Sequence, residues 1–232
     1  MRNRMTLAIA AAAGLFVLSA APATAAPLGE ASTGARAGQA CTDVKLSGSL
    51  PVPPAGTAVK QQITIGPDCK PQLGPVQRVT KGGAGAAEVS ARTIGAAVAA
   101  GTRQVNSASE MYDCCNIRMT GLYTTSTWTT DGTRITTAST DATQQWNREP
   151  WNAGWSLVSS SKNADCLADC AVSNNEAHAS FSYKGIFDTS GDRYANTHHS
   201  YVELKADGTA SCRFDVELKN TFIGWNWQRS CQ

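Results

Sequence analysis

The clearest alternation of hydrophobic and polar positions in this chain lies in residues 194–231. On both sides of a short turn, apolar side chains occupy every second position: Val202, Leu204, Cys212, Phe214, Val216 and Leu218. A period of two is typical of a β-strand that buries one face and exposes the other. The turn itself, Ala206-Asp207-Gly208, predicts that the two strands form a β-hairpin.

The two faces of this hairpin decide how its strands pair. A loop of only Asp207-Gly208 would place the apolar Val202 opposite the charged Arg213. A longer loop, with Gly208 in the left-handed conformation as a bulge, pairs Val202 with Cys212 instead and separates the two faces cleanly. The same register predicts the pairs Leu204–Ala210, Ser200–Phe214, Tyr201–Arg213, Glu203–Ser211, Lys205–Thr209 and His199–Asp215.

Further strands are expected along the rest of the chain. A second Asp-Gly turn, Thr130-Asp131-Gly132, predicts a hairpin between the Thr-rich residues 117–129 and 133–143. Other strands are predicted at residues 44–46, 59–65, 155–160, 177–187 and 221–229, with Phe181, Tyr183 and Ile186 as inward candidates and with Trp225 and Trp227 on one face. Many short strands with frequent turns predict an all-β fold: an antiparallel β-sandwich or jelly-roll-like domain stapled by disulfides, with a disordered N-terminal arm.

The N-terminal residues are typical of a targeting segment. Two early arginines precede an apolar run at residues 6–18, and Ala23-Thr24-Ala25 matches a small-residue cleavage site, so residues 1–25 are predicted to be a signal peptide. Residues 26–40 lack periodic apolar positions and are predicted to be a disordered arm. No later apolar run approaches the roughly 20 residues that a transmembrane helix needs. We therefore expect a secreted, extracellular chain without a membrane span.

Three segments are expected after the arm. Residues 41–80 are predicted to be a small β unit that packs on the main domain, because so short a segment buries too little apolar surface to be stable alone. Residues 81–110 are rich in Ala and Gly and are predicted to be a linker or a weak helix, since each glycine disfavours a helix by about 1 kcal/mol. Residues 111–232 are predicted to be the main β domain.

Charge and composition narrow the classes of function. The chain has 20 Lys and Arg residues against 18 Asp and Glu residues, a net charge of +2, and the basic residues are scattered. This distribution lacks the basic patch of a nucleic-acid-binding protein and the polybasic cluster of a membrane-surface protein. We therefore expect no nucleic-acid partner. Heavy use of Ala, Gly, Thr and Arg is typical of a GC-rich bacterial genome.

Cysteine usage predicts a cross-linked protein. The 8 cysteines all follow the targeting segment: Cys41, Cys69, Cys114, Cys115, Cys166, Cys170, Cys212 and Cys231. An even count in an exported chain predicts that all of them form disulfides. Adjacent cysteines rarely bond each other, so Cys114 and Cys115 are expected to bond Cys166 and Cys170, which leaves the pairs Cys41–Cys69 and Cys212–Cys231. Their spacing matches neither a zinc site nor a thioredoxin-like redox motif, so no metal and no cofactor are expected.

Candidate catalytic residues are few. The chain has 3 histidines, and neighbours on a strand point to opposite faces, which sends His198 to the apolar face near Val216 and His199 to the outer face. Glu176 and His178 share a strand face, and they form either an acid–base pair or two unrelated surface residues. No Gly-x-Ser-x-Gly motif is present, and no pattern brings two carboxylates together for glycoside hydrolysis. The sequence therefore favours a non-enzymatic protein.

Tryptophan is the residue type that most suggests a binding surface. Half of the 6 tryptophans lie in a loop-like stretch between residues 146 and 155. Flat aromatic rings beside amides and Arg are typical of surfaces that stack on sugars or dock on proteins. Most tryptophans are expected to pack in the core, with Trp151 and Trp155 as exposed exceptions. The predicted partner-binding or glycan-binding residues are Trp146, Arg148, Trp151, Asn152 and Trp155.

Together these features predict a secreted, non-enzymatic binding or assembly protein that acts on another extracellular protein, as an inhibitor or as a component of a toxin complex. A first alternative is a module that binds a cell-wall or extracellular glycan with exposed tryptophans. A second alternative is an exported hydrolase with a histidine–carboxylate site. An open edge strand of a sandwich is a further place where a partner or a second subunit can add a strand.

Overall fold

Antiparallel strands dominate the computed structural model of this chain, which describes residues 40–51, 53, 56–80, 100–149, 154–186 and 188–232. Numbered in chain order, the strands are β1 (Ala40–Cys41), β2 (Val44–Pro51), β3 (Thr57–Ile65), β4 (Pro71–Leu73), β5 (Gln77–Thr80), β6 (Gly101–Tyr112), β7 (Arg118–Thr130), β8 (Ile135–Trp146), β9 (Trp155–Ala164), β10 (Val172–Tyr183), β11 (Ala195–Lys205), β12 (Ala210–Lys219), β13 (Thr221–Phe222) and β14 (Asn226–Cys231). The described residues contain no helix, and therefore none that is long and apolar enough to span a membrane. The predicted signal peptide, the predicted arm up to residue 39, and the predicted linker at residues 81–99 lie outside the described residues.

The strands form two large sheets and a small one. The front sheet has the strand order β2-β12-β11-β10-β9, and the back sheet has the order β4-β3-β14-β6-β7-β8, with β5 also paired to β3. The short strands β1 and β13 pair with each other. Every neighbouring pair is antiparallel. These observations confirm the predicted all-β, antiparallel, sandwich-like fold.

The hairpin of β11 and β12 has the predicted register. Val202 pairs with Cys212, and the other pairs predicted within the two strands are present as well. Gly208 adopts a left-handed φ of 78°. The Lys205 N–H donates a hydrogen bond to the Thr209 carbonyl over 2.9 Å, which closes the loop. The need to keep apolar residues on one face therefore predicted the loop length correctly.

The second Asp-Gly turn also forms a hairpin, between β7 and β8. Gly132 has a φ of 94°, and Asp131 Oδ1 accepts hydrogen bonds from the backbone N–H groups of Thr133 and Arg134 at 2.8 and 2.7 Å. Because these bonds favour the charged carboxylate, they lower the pKa of Asp131. A short aspartate side chain thus closes the turn that the sequence predicts.

Strand β6 is the largest departure from the prediction. The sequence predicts a linker or a weak helix up to residue 110, but β6 begins at Gly101 and lies between β14 and β7 in the middle of the back sheet. The prediction is therefore wrong for residues 101–110. The inward positions of β6 are Val105, Ser107, Ser109 and Met111. Serines at two of these positions interrupt the apolar alternation that would have indicated a strand.

Two other local predictions also change. The predicted strand at residues 221–229 is interrupted, because Gly224 turns the chain with a φ of 88° between β13 and β14. Phe181 is fully buried as predicted, and Tyr183 is half-buried. Ile186 is 66% exposed, so the prediction that it points inward is wrong. Ile186 lies beyond the end of β10, in a turn where strand alternation no longer applies.

Residues 41–80, the predicted small β unit, divide between the two large sheets. β2 pairs with β12 in the front sheet, and β3 pairs with β14 in the back sheet. A disulfide joins Cys41 to Cys69 as predicted. A second predicted disulfide, between Cys212 and Cys231, ties β12 to β14 and so links the two sheets. All the described residues belong to one compact unit of residues 34–232.

The remaining cysteines do not pair as predicted. Cys166 bonds Cys170, so the expected bonds from Cys114 and Cys115 to this pair are wrong. Cys114 and Cys115 lie just before β7, whereas Cys170 pairs with Ile135, which follows the far end of β7. At about 3.3 Å per residue, β7 spans about 40 Å. The two groups of cysteines are therefore too far apart to bond each other.

The two large sheets pack face to face around a mixed interior. Its fully buried apolar side chains include Trp227, Phe181, Phe214, Leu50, Ile63, Met111 and Leu122. Polar side chains cross between the sheets among them, and Ser107 Oγ lies 2.8 Å from Ser200 Oγ. His198 of β11 contacts Ser109 of β6 and Thr120 of β7, each over 2.9 Å. Hydrogen bonds therefore join the sheets in addition to apolar burial.

Candidate functional site

A group of ionisable and aromatic side chains meets on the outward face of the front sheet. Alternation along β10, β11 and β12 sends every second residue to this face, and strand pairing brings those residues side by side. Together they are called the outer-face cluster, whose two cross-strand rows are His178–His199–Asp215 and Glu176–Tyr201–Arg213.

Rings and a guanidinium are in contact along the cluster. The imidazoles of His178 and His199 meet edge to face, with ring centroids 4.8 Å apart. The rings of His199 and Tyr201 are nearly parallel, at 6° and with centroids 6.1 Å apart. Arg213 Cζ lies 3.7 Å from the centroid of the Tyr201 ring, which is a close cation–π contact. Each side chain restrains the next, so the cluster presents an ordered surface.

Two carboxylates flank this stack of side chains. Glu176 Oε1 lies 3.4 Å from His199 Nδ1. Arg213 Nη1 donates to Asp215 Oδ2 over 2.6 Å. Both pairs are partly exposed to solvent, which screens their attraction. Their main effect is therefore to orient the His199 ring and the Arg213 guanidinium.

Burial and neighbouring charge set the protonation of the cluster. Burial lowers the pKa of His178, and repulsion from His199 lowers it further, while Glu176 opposes both effects. Burial also raises the pKa of Tyr201, and the charge of Glu176 adds to this effect. At neutral pH the cluster therefore contains an uncharged His178 ring and a protonated Tyr201 hydroxyl.

A polar cleft of about 400 Å³ opens beside the cluster. Glu176, Tyr201 and Arg213 line it together with Asn163, Asp165 and Asn174. Asp165 accepts hydrogen bonds from the side-chain amide and the backbone N–H of Asn174, both at 2.7 Å, and these bonds lower the pKa of Asp165. The cleft thus offers amide, carboxylate, phenol and guanidinium groups to a polar ligand or to the surface of a partner.

A larger cleft of about 540 Å³ lies against the back sheet. Amide side chains contribute much of its lining: Gln61, Gln62, Gln72, Gln77 and Gln228. Glu110 also lines it, and this carboxylate accepts a hydrogen bond from the Tyr123 hydroxyl and lies 3.4 Å from Arg118 Nη1. Burial, followed by the hydrogen bond to Glu110, raises the pKa of Tyr123, so the phenol stays protonated. This cleft therefore presents neutral amides beside a carboxylate that is already paired and the cationic residues Lys60 and Arg229.

The structure separates the predicted histidines. His198 is fully buried on the inner face near Val216 as predicted, and burial lowers its pKa to about 3, so the ring is neutral and shielded from solvent. Glu176 Oε1 approaches His199 Nδ1 over 3.4 Å, across to the neighbouring strand. Glu176 lies directly opposite Tyr201 and diagonally opposite His199, and a long side chain can reach across such a diagonal. The carboxylate that the sequence offers as one possible partner of His178 therefore pairs with His199 instead.

The predicted tryptophan surface is only partly described. Trp151 and Asn152 lie outside the described residues. Trp155 is 6% exposed and packs edge to face against Tyr183 and Trp225, so the prediction that Trp155 is exposed is wrong. Trp146 is half-buried against Phe181, and Arg148 Cζ lies 5.1 Å from its ring centroid. Of the two tryptophans that the glycan-binding alternative expects to be exposed, Trp155 is therefore not available for stacking on a sugar.

Tyr201, Arg213 and Asp215 are the site residues that the sequence did not single out. The predicted register already placed Tyr201 opposite Arg213 on the outer face, and the structure has this pair. A signal was therefore present: an aromatic ring and a cation were predicted as outward cross-strand neighbours, an arrangement that favours a cation–π contact.

Candidate metal ligands do not gather in the cluster. In the described part of the chain, no group of three or more His, Cys, Asp and Glu side chains is arranged to hold a metal ion. Among the other carboxylates, Asp188 accepts backbone hydrogen bonds from Gly191, Arg193 and Tyr194, which is the role of a turn residue.

Comparison with known proteins identifies no family for this chain. No protein-family model matches the chain, and no curated protein or solved structure matches it significantly.

Proposed function

We propose that this chain is a secreted, non-enzymatic binding protein that engages another extracellular protein through the outer-face cluster. The observation that carries the proposal is the contact of Arg213 with Tyr201, in which Cζ lies 3.7 Å from the ring centroid on an outward sheet face. Arg and Tyr are enriched among the residues that contribute most to protein–protein binding. Because neighbouring rings already hold both side chains, binding loses little of their conformational entropy.

Mixed charge on the cluster favours a protein partner over a polyanion. The negative charges of Glu176 and Asp215 lie beside the positive charge of Arg213, and the whole chain has a net charge of only +2. A nucleic acid would select a uniformly basic face. A partner protein can supply both donors and acceptors to such a surface, as inhibitor and toxin-complex interfaces do.

Disulfide chemistry supports an extracellular location. Three cysteine pairs are bonded: Cys41–Cys69, Cys166–Cys170 and Cys212–Cys231. Disulfides persist in oxidising compartments and are rare in the reducing cytosol. They agree with the export that the N-terminal sequence pattern predicts.

Affinity capture tests the proposed function. The immobilised protein is incubated with culture medium of the producing organism, and captured proteins are quantified by mass spectrometry. We expect the Tyr201→Ala/Arg213→Ala variant to capture at least about tenfold less of the specific partner than the wild type does. The Lys45→Ala/Glu217→Ala variant is the matched control, because it removes an exposed ion pair from the same face. Equal capture by both variants would rule out the cluster as the binding surface.

A second candidate function is hydrolysis, and one contact favours it. His199 Nδ1 lies 3.4 Å from Glu176 Oε1, and the His199 ring stacks on Tyr201 at the cleft. A histidine oriented by a carboxylate can act as a general base. The protein is assayed with chromogenic ester, peptide and glycoside substrates. Turnover that disappears in a His199→Ala variant would favour hydrolysis over non-enzymatic binding as the function.

A further inference from the structure

The turn between β6 and β7 presents two cysteines at the surface. Among the cysteines, all of which fall in described residues, only Cys114 and Cys115 form no disulfide, and both are exposed. Asp113 Oδ1 accepts the backbone N–H groups of Cys115 and Ile117, each over 2.8 Å. Asn116 completes the turn with a φ of 61°. The backbone around both thiols is therefore well defined.

The geometry of this pair disfavours a bond between the two sulfurs. Consecutive Cα atoms are held about 3.8 Å apart by a trans peptide, whereas disulfides join Cα atoms about 4.4–6.8 Å apart. The Sγ atoms of Cys114 and Cys115 lie 3.7 Å apart, in van der Waals contact. The turn therefore favours two neighbouring thiols.

The same separation suits a shared metal ion. With metal–sulfur bonds of about 2.3 Å, two sulfurs 3.7 Å apart enclose an angle of about 107° at the metal, close to the tetrahedral value of about 109°. We propose that Cys114 and Cys115 chelate one soft, thiophilic divalent ion of the Zn²⁺ or Cd²⁺ class. Because both residues are exposed, the other coordination positions face solvent and are filled by water or by a partner's ligand.

The surroundings of the pair leave the two sulfurs as the groups that a cation would meet at this turn. Asp113 precedes the pair in the chain, and its Oδ1 accepts the backbone N–H groups that shape the turn. The segment packed against the turn contributes uncharged groups, Gly224 beside Cys114 and Gln228 bonded to Asn116.

Titration with Cd²⁺ tests the proposed site on the full mature protein, purified without reductant or chelator. We expect one Cd²⁺ per chain and thiolate-to-metal charge-transfer absorption in the ultraviolet. Cys114→Ser and Cys115→Ser should each weaken Cd²⁺ binding at least about tenfold, since each removes one of two ligands. Zn²⁺ should compete with Cd²⁺ for the site.

A His199→Ala variant is the control, because it removes a potential ligand from the outer-face cluster and keeps both thiols. Its Cd²⁺ affinity should equal that of the wild type. Both cysteines are exposed, so the serine variants should keep the wild-type circular dichroism spectrum. Three results would each overturn the proposal: wild-type Cd²⁺ affinity in either serine variant, loss of binding in the histidine variant, or mass-spectrometric evidence that Cys114 and Cys115 are already joined in a disulfide.

Discussion

Ser109 Oγ of β6 lies 2.9 Å from His198 Nδ1 of β11, so a hydrogen bond joins the two large sheets through the interior. Thr120 Oγ1 lies 2.9 Å from His198 Nε2, and the Trp227 indole N–H donates to Ser109 Oγ over 2.9 Å. A neutral imidazole has one donor and one acceptor nitrogen, and a hydroxyl can serve either. Both ring nitrogens are thus satisfied without a counter-ion, and burial lowers the pKa of His198 to about 3.

Acid is expected to destabilise the protein through His198. In the unfolded chain the imidazole takes up a proton near its ordinary pKa of 6.5, whereas in the folded chain its pKa is about 3. Between these values only the unfolded state binds the proton. The free energy of unfolding should therefore fall by about 1.4 kcal/mol for each pH unit of acidification in this window. Urea unfolding at a series of pH values measures the slope.

A His198→Gln variant isolates this contribution. Hydrogen bonds lower the pKa values of Asp165 and Asp207, so these carboxylates lose stabilising interactions in acid in both proteins. The variant should be less stable at neutral pH, and its deficit relative to the wild type should shrink as the pH falls from about 6.5 to about 3. A deficit that stays constant over this range would show that His198 does not cause the slope.

Gly48 is expected to resist substitution because of Arg229. A Cβ atom at Gly48 would lie 1.9 Å from Arg229 Nη1. Arg229 is 5% exposed, donates to Gln61 Oε1, and lies with Cζ 5.1 Å from the Trp227 ring centroid, so its head cannot move freely. We expect Gly48→Ala to lower the free energy of unfolding by about 1–3 kcal/mol, as measured in urea.

Gly101→Ala is the matched control for this clash, because a Cβ at Gly101 meets no atom within 4 Å. It should change stability by less than about 0.5 kcal/mol. An Arg229→Gln background should reduce the cost of Gly48→Ala, since the two sites are in contact. If the cost is the same in both backgrounds, the guanidinium is not its cause.

The disulfides are expected to differ in their contributions to stability. Cys212–Cys231 closes a sequence separation of 19 residues and links the two sheets, whereas Cys166–Cys170 closes a separation of only 4. Replacing the first pair by alanines should cost about 3 kcal/mol, and replacing the second about 2 kcal/mol, because a longer closed loop restrains the unfolded chain more. The Tm of each double variant shows which disulfide contributes more to stability. A lower Tm for the variant that lacks Cys166–Cys170 than for the variant that lacks Cys212–Cys231 would contradict the prediction.

The pKa of His178 is expected to respond to its neighbours in opposite directions. A His199→Gln variant should raise the pKa of His178, because repulsion from His199 contributes to lowering it. A Glu176→Gln variant should lower this pKa further, because the carboxylate stabilises the charged ring. NMR titration of the histidine ring protons measures both shifts. Changes of the same sign in the two variants would contradict the arrangement of the cluster.

The pairing of β11 with β12 could be predicted because a wrong register carries a large penalty there. A shift of one residue would turn apolar side chains such as Val202 and Phe214 toward water. β6 could not be predicted in the same way. Its inward Ser107 and Ser109 are suitable core residues only because Thr124, Ser200 and His198 supply hydrogen-bond partners from other strands. The local sequence pattern of β6 does not show those partners, because they lie on other strands.

The cysteines show a similar division. The predicted Cys212–Cys231 pair is confirmed, and it agrees with the position of Cys212 on the core face of its strand. For Cys114 and Cys115, the rule that adjacent cysteines rarely bond each other excludes one pairing but does not locate their partners. The length of β7 separates them from Cys170, and only strand placement reveals that distance.

By itself, the sequence determined the strand character, two Asp-Gly hairpins and the outward positions of His199, Tyr201 and Arg213, because these depend on alternation and turn chemistry between near neighbours. Only the tertiary structure decided that Glu176 approaches His199, that Trp155 is buried, and that Cys114 and Cys115 remain unbonded together at one turn. Such contacts depend on how strands far apart in the chain are placed beside one another, and no local period encodes that placement.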